Sequence, residues 1–179
     1  MFENMRTAIF VDLISLFYNI NYVYPQQKLD YKAYLDKLKE KYNIYRAIAY
    51  GASVSNEAQN FIRCLRGNGY ETKYVPARKF NSKAVIKYTD RAMDIAMDIL
   101  RMIDRIDVVV IGSSNINLIP LLVYLKEKGI KVVIVACNIP REMKNSCDEW
   151  LEITDDLLEI RNDEEELEEE VIIENNKTT

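Results

Sequence analysis

Short runs of aliphatic and β-branched residues, separated by helix-length segments, most restrict the fold of this chain. Such runs lie at residues 7–11, 44–50, 72–75, 108–111 and 131–136. Most carry little charge, as strands buried on both faces of a sheet do. Because helical segments lie between the strands, the pattern predicts an α/β fold. We expect a three-layer α/β/α sandwich around a mostly parallel sheet.

Apolar periodicity and glycine stop signals predict the helices between these strands. On the longest one, Met93, Met97 and Leu100 indicate the side that faces the core. Glycines at 67 and 129 end two others. Helices are expected at 15–22, 31–42, 56–66, 84–103, 116–128 and 141–147, and a last short strand at 150–153.

The charge distribution divides the chain into one domain and a tail. The whole chain has a net charge of −4, but residues 163–179 hold eight acidic residues and one lysine. We therefore predict a domain at 1–160 and an acidic, disordered tail at 161–179. The tail is either simply solvated, an arm that competes with nucleic acid, or an interaction segment for a homodimer or another protein partner.

Several sequence features that would support other functions are missing. There is no histidine, which excludes catalysis by histidine and ordinary zinc sites with histidine ligands. Three scattered cysteines, Cys64, Cys137 and Cys147, form no C-x-x-C pair, so we expect reduced thiols in a cytoplasmic protein. No apolar run is long enough for a membrane span, and no secretory signal is recognised.

Polar side chains follow two predicted strands directly. Asp12 ends the first one, and a turn of small residues with Asn115 and Asn117 follows Asp107–Ile111. Ligands of open α/β sheets bind at the carboxyl ends of the strands. Carboxylates there would hold Mg²⁺ or Mn²⁺. The bound cation would polarise the phosphate and activate water, so that a phosphodiester is cut without histidine. Asn115 and Asn117 bring no charge, and turn capping is the alternative role for them.

Further carboxylates are less certain members of this site. Asp90, Asp94 and Asp98 are spaced four apart, so they form one stripe on the long helix. The stripe either faces solvent or contributes Asp90 or Asp94 to a cation. Asp148 precedes the last strand and is expected to reach the carboxyl edge of the sheet as well.

Over residues 6–154 the chain resembles the NYN domain family, a branch of the PIN-like metal-dependent ribonucleases. Thr7–Ser15 is similar to the first strand with its D-x-x-N motif, and Lys87-Tyr-Thr-Asp90 to the K-x-x-D helix. Asp107–Leu122 resembles a strand, an S-G-D-S-D-F turn and a V-P-L helix. Further similarity lies at Arg46–Gly51, Leu65–Lys73, Gly129–Val135 and Cys147–Ile153.

The resemblance implies a site but also shows departures from the family. Ser15 stands where the family has Asn, and Asn115 and Asn117 stand where it has Asp. The implied catalytic residues are Asp12, Asp90, Asp94, Asn115 and Asn117, and the implied ligands of Mg²⁺ or Mn²⁺ are Asp12, Asp90, Asn115, Asn117 and Asp148. Ser15, Ser113 and Ser114 are expected to line this site.

A basic stretch before and at the start of the long helix suits RNA. Between residues 63 and 91 the net charge is +6, and aromatic residues lie among the cations. Cations neutralise phosphates, and rings stack on unpaired bases. The expected RNA contacts are Arg78, Lys79, Lys83, Lys87 and Arg91.

Two functions stay open from the sequence. The first is an RNA-binding protein of the metal-dependent endoribonuclease class, whose depleted acidic centre makes phosphodiester hydrolysis weak or absent. The second is a non-catalytic module for protein interaction or scaffolding on the same fold. A small-nucleotide binder is disfavoured, because no glycine-rich phosphate loop follows a strand.

Overall fold

A six-stranded parallel sheet organises the computed structural model, which describes residues 2–53, 59–76, 79–80, 85–86 and 90–161. The strand order is β4-β3-β1-β7-β8-β9. Two small sheets, β2 with β10 and β5 with β6, are antiparallel. The strands are β1 (Phe2–Asp12), β2 (Gln27–Leu29), β3 (Tyr42–Ser53), β4 (Glu71–Pro76), β5 (Lys79–Phe80), β6 (Val85–Ile86), β7 (Val108–Gly112), β8 (Lys131–Ala136), β9 (Glu149–Glu152) and β10 (Leu158–Ile160).

Helices cover both faces of the six-stranded sheet, which confirms the α/β fold predicted from the sequence. They are α1 (Leu13–Val23), α2 (Tyr31–Lys41), α3 (Gln59–Gly67), α4 (Ala92–Met102), α5 (Ile119–Glu127) and α6 (Arg141–Ser146). Short 3-10 turns at Ile103–Arg105, Ile116–Leu118 and Asp155–Leu157 complete the described elements.

The core is centred on β1, β7 and β8. All five residues of β7 are buried, and every residue of β8 after Lys131 is buried as well. Burying each such Val or Ile side chain contributes roughly 1.5–3 kcal/mol before the cost of ordering the chain. From α2, the fully buried Tyr34 donates its hydroxyl to Val135 O at 2.8 Å, which ties this helix to β8.

Two parts of the chain differ from the sequence prediction. The long helix does not begin near residue 84, because Val85–Ile86 pairs with Lys79–Phe80 and α4 begins only at Ala92. Strands β2 and β10 were also not predicted. Each has three residues and is defined by pairing across more than a hundred residues, so no local periodicity marks it.

The prediction for the core face of α4 was wrong. Ala92, Ile95, Ile99 and Met102 are buried, whereas Met93, Met97 and Leu100 are exposed. Both sides of this helix are apolar, so periodicity alone does not decide which side faces the sheet.

Candidate functional site

Three neighbouring strands bring polar side chains to one edge of the sheet. In the parallel register Asp12 of β1 lies opposite Tyr50 of β3, and Val11 lies opposite Gly112 at the end of β7. The residues after Gly112 therefore lie beside Asp12 at the carboxyl edge. This is the edge at which ligands of open α/β sheets bind.

Asp12 is fully buried at this edge and caps α1. Its Oδ1 accepts a hydrogen bond from Ser15 N at 3.1 Å, and its Oδ2 accepts one from Ser113 Oγ at 3.1 Å. Burial raises the pKa of Asp12 to about 6 despite these two hydrogen bonds, and the nearby charge of Asp90 adds to the increase. Because burial disfavours its charged form, this carboxylate gains from a nearby cation or from a proton.

Serine hydroxyls hold the turn after β7 in place. Ser113 Oγ accepts from Asn115 N at 3.2 Å while it donates to Asp12. Ser114 N donates to Ser15 Oγ at 3.0 Å, and Ser114 Oγ donates to Cys137 O at 2.6 Å. The turn is thereby fixed to the ends of β1 and β8.

Asp90 lies at the centre of the exposed part of the site. Its Oδ1 accepts from Ala92 N at 2.8 Å, so it caps the start of α4. The same oxygen accepts from Asn115 Nδ2 at 2.7 Å, and Oδ2 accepts from Asn117 Nδ2 at 2.6 Å. We call this arrangement of Asp90, Asn115 and Asn117 the amide clasp.

The orientation of the Asn115 carboxamide follows from its second hydrogen bond. Its Oδ1 accepts from Asn117 N at 3.0 Å and caps the 3-10 turn Ile116–Leu118. This bond fixes the amide with Nδ2 towards Asp90. Both roles considered from the sequence, turn capping and a position in the site, therefore belong to the same side chain.

A continuous path of hydrogen bonds joins the two carboxylates. It runs from Asp12 through Ser113 and Asn115 to Asp90, and Asn117 completes it. The structure thus brings these five expected residues together with Ser15 and Ser114. Their chemical role stays a prediction.

Asp94 and Asp98 do not join this group. The half-exposed side chain of Asp94 forms an ion pair with Arg91, whose Nε lies 3.2 Å from Asp94 Oδ2. Asp98 is buried and accepts from Tyr50 Oη at 2.7 Å, Lys73 Nζ at 2.6 Å and Arg101 Nη1 at 3.3 Å. The three aspartates were predicted as one stripe, but they have three different environments.

The expectation for Asp148 was wrong. Its Oδ2 accepts from Val132 N at 2.8 Å, and its Oδ1 lies 3.5 Å from Lys126 Nζ. Val132 lies near the start of β8, so Asp148 is at the amino edge of the sheet. In a parallel sheet, a residue just before a strand lies at the amino edge, whereas a residue at the end of a strand, such as Asp12, lies at the carboxyl edge.

The basic residues expected to contact RNA lie mostly outside the described residues. Arg78, Lys83 and Lys87 are in that group, and Lys79 lies in β5, whose side chains are not described. Arg91 is only 2% exposed, with its guanidinium carbon 5.9 Å from the centre of the Tyr50 ring. This burial removes Arg91 from the expected set of open phosphate contacts.

The oxygens around Asp90 do not meet the needs of a divalent cation. Within the described residues, no three carboxylate, thiol or imidazole side chains cluster closely enough to hold a metal ion. The amide clasp uses both oxygens of Asp90, and Asn115 Oδ1 accepts from a backbone N–H. Mg²⁺ and Mn²⁺ prefer several charged oxygens, so these residues fit such an ion poorly.

The comparison with known families agrees with this geometry. A model of the NYN domain family matches residues 6–155. The chain belongs to the NYN domain family. Membership of this family supports a nuclease or ribonuclease class and a PIN-like fold. Members of the family generally bind RNA. Nucleases of this type typically depend on divalent metals.

A solved structure shows the same fold as this NYN domain. It is the crystal structure of a protein of unknown function from Vibrio parahaemolyticus, with a TM-score of 0.77 and 20% sequence identity. The alignment covers 88% of this chain and 98% of the Vibrio chain. No curated protein matches the chain. Among the described helices, none is both long and apolar enough to cross a membrane.

The sequence did not reveal the group that anchors α4 beside the site. Tyr50, Lys73 and Asp98 come from β3, β4 and α4, and they meet through the two short hydrogen bonds to Asp98. The available signal was Tyr50 at a strand end, opposite Asp12 in the sheet. Its partner on α4 could not be identified without knowing which side of that helix faces the sheet.

Proposed function

We propose that this NYN domain binds RNA at the carboxyl edge of its sheet and that its metal centre is depleted. Hydrolysis of the phosphodiester is then weak or absent. The amide clasp is the observation that carries this proposal, because two uncharged carboxamides occupy both oxygens of Asp90 where the family resemblance implies two further aspartates.

The electrostatic argument is one of charge number. An Asn oxygen can bind a hard cation, but it carries no negative charge and so adds no charge–charge attraction to the cation. Two unit charges 4 Å apart attract by about 4 kcal/mol at an effective dielectric constant of 20, and a divalent ion doubles this. Replacing two aspartates by Asn therefore weakens a metal site by several kcal/mol, even after desolvation is allowed for.

The amide clasp also favours an RNA-binding edge over a catalytic one. Only Asp12 and Asp90 carry charge in the cluster, and Asp12 is buried. Fewer exposed carboxylates repel phosphates less, and the basic residues before Asp90 supply cations. We propose Arg78, Lys79, Lys83 and Lys87 as the phosphate contacts.

Binding of a fluorescent single-stranded RNA, measured by anisotropy at several salt concentrations, tests the RNA part. Each lost phosphate contact reduces the slope of log K against log salt by about 0.7 for a single strand. Lys83→Ala with Lys87→Ala should therefore reduce the slope by about 1.4. The matched control, Lys39→Ala with Lys126→Ala, removes two lysines elsewhere and should leave the slope unchanged. Equal slopes in all three proteins would refute these contacts.

Cleavage of the same RNA in Mg²⁺ or Mn²⁺ tests the depleted centre. We expect little or no cleavage above a metal-free reaction. Rapid metal-dependent cleavage that Asp12→Asn abolishes would contradict the depletion and would make this chain an active ribonuclease. RNA binding without cleavage is the expected combination.

The second function, a non-catalytic protein-interaction or scaffold module, is supported by a different feature. The outer face of α4 is apolar and exposed at Met93, Met97 and Leu100. Failure of RNA binding would leave this alternative as the better account. We also infer a cytoplasmic location, supported by the three free cysteines Cys64, Cys137 and Cys147.

A further inference from the structure

Helix α4 is apolar on two opposite sides. Its inner side packs on the sheet through Ile95 and Ile99, which are fully buried. On its outer side Met93 is 73% exposed, Met97 42% and Leu100 39%. The inner side accounts for the folding of the helix, but the outer side has no such partner among the described residues.

The three outer side chains form one stripe. Positions 93, 97 and 100 fall within an arc of about 60° at 100° per residue. Single exposed apolar residues are ordinary on protein surfaces, whereas a contiguous stripe along a helix marks an interaction surface. Methionines suit such a surface because they adapt their shape to a partner.

Two opposite charges border the same side of this stripe. Asp94 and Arg101 are seven residues apart, so they lie on one flank, two turns from each other. Their side chains are 53% and 69% exposed. Each has an ion-pair partner within the chain, Arg91 and Asp98 respectively, yet each keeps most of its surface in solvent.

We propose that the outer face of α4 binds the same face of a second copy of this chain, with the two helices antiparallel. The two-fold axis passes near Met97, lies in the interface and is perpendicular to the helix. It places each flank of the helix beside the same flank of the partner helix, which runs in the opposite direction. Asp94 then faces the partner's Arg101, and Arg101 faces the partner's Asp94. The uncharged stripe between them is buried against its own copy.

Charge distinguishes this occupant from two others. The acidic residues at 163–170 would meet no positive excess on the stripe, because Asp94 offsets Arg101. RNA would likewise find one cation, one carboxylate and apolar side chains, which is a poor phosphate surface. A second copy in the antiparallel direction offers the same two charges in reverse order, so the exposed part of each side chain meets an opposite charge.

Sedimentation velocity over a wide concentration range tests the proposal on the whole chain. Wild type should sediment as a monomer and dimer in concentration-dependent equilibrium. Met97→Glu places two carboxylates at the two-fold axis and should raise the dimer dissociation constant by more than about tenfold. The matched control Val123→Glu, at a side chain 45% exposed on α5, should not change the dissociation constant.

A charge exchange tests the antiparallel direction. Arg101→Glu should weaken the dimer, because Asp94 then faces the partner's Glu, and adding Asp94→Lys should restore it. A parallel pairing would not show this rescue. Circular dichroism melts of each variant check that α4 stays folded.

A cross-link provides a readout that does not depend on a weakened interface. In a Cys64→Ser background, Met97→Cys should form an interchain disulfide under mild oxidation, and Val123→Cys should not. A wild-type chain that stays monomeric at several hundred micromolar would overturn the proposal. A dimer unaffected by Met97→Glu would do so as well, since its interface would lie elsewhere.

Discussion

At the scale of single residues, Asp12 has the most unusual environment. It is a carboxylate with no exposed surface that accepts hydrogen bonds from the backbone N–H of Ser15 and the hydroxyl of Ser113. Burial raises the pKa of Asp12 from 3.8 to about 6, so the folded protein binds a proton more tightly than the unfolded chain does. The free energy of unfolding therefore decreases as the pH rises from about 4 to about 6.

We predict that Asp12→Asn stabilises the protein at pH 7.5 but not at pH 4. The amide keeps the cap of α1 without a buried charge, and the upper limit of the gain is about 3 kcal/mol for a shift of this size. Urea unfolding in EDTA at both pH values measures it. Asp36→Asn is the control, since the hydrogen bonds from Lys32 and Lys39 lower the pKa of Asp36. A gain that does not depend on pH would refute the account of Asp12.

The residues of the site were only partly predictable from the sequence. Asp12 and Asn115 were identifiable because Asp12 ends one buried strand and Asn115 lies in the short turn after another, and strand ends fix position. Asp90 was ambiguous with Asp94, since the choice depends on where α4 begins. Asp148 was assigned to the wrong edge although it precedes a parallel strand, a position that belongs to the amino edge of the sheet.

At the scale of elements, α4 is held by the carboxylate of Asp98. Burial alone would raise the pKa of Asp98, but the hydrogen bonds from Lys73 and Tyr50 outweigh it and hold the pKa below its usual value. The resulting stability is present above the unfolded pKa, near 3.8, and is lost as the pH falls through the lower folded value. At neutral pH this cluster joins α4 to β3 and β4.

We predict that Asp98→Asn lowers the free energy of unfolding by about 1–3 kcal/mol at pH 7, because Lys73 and Tyr50 lose a charged acceptor. Denaturant unfolding measures the change. Asp104→Asn, in the 3-10 turn after α4, is an exposed control and should change stability by less than about 0.5 kcal/mol. A loss at position 98 no larger than at position 104 would contradict the anchoring role.

Helix α2 approaches the end of β7 closely at Gly112. A Cβ there would lie 2.9 Å from Tyr34 Oη, and the Tyr34 hydroxyl is itself bonded to Val135 O. We predict that Gly112→Ala destabilises the fold by about 1–3 kcal/mol, as overpacking does. Gly67→Ala is the control, since a Cβ at Gly67 meets no atom within 4 Å. Equal melting temperatures for both variants would argue against a tight contact.

At the scale of the whole molecule, hydrophobic runs specify the sheet more completely than they specify the helices around it. The strands β1, β7 and β8 were predicted because buried parallel strands are apolar on both faces. The outer side of α4 was mistaken for its core side because both sides are apolar. The two small sheets were missed because their strands have only two or three residues and depend on tertiary pairing.

The melting temperature with and without divalent metal tests the depleted centre most directly. Asn115→Asp with Asn117→Asp removes the amide donors and places three carboxylates at Asp90. In EDTA this variant should melt below wild type, because like charges crowd one edge.

Mg²⁺ or Mn²⁺ should then raise the melting temperature of the double variant more than that of wild type, by linkage of binding to folding. Each added carboxylate should strengthen metal binding by on the order of 1–3 kcal/mol. Asn43→Asp with Asn68→Asp gives the same net charge away from the site and should respond to metal as wild type does. Equal metal-induced shifts in the site variant and in wild type would contradict the account.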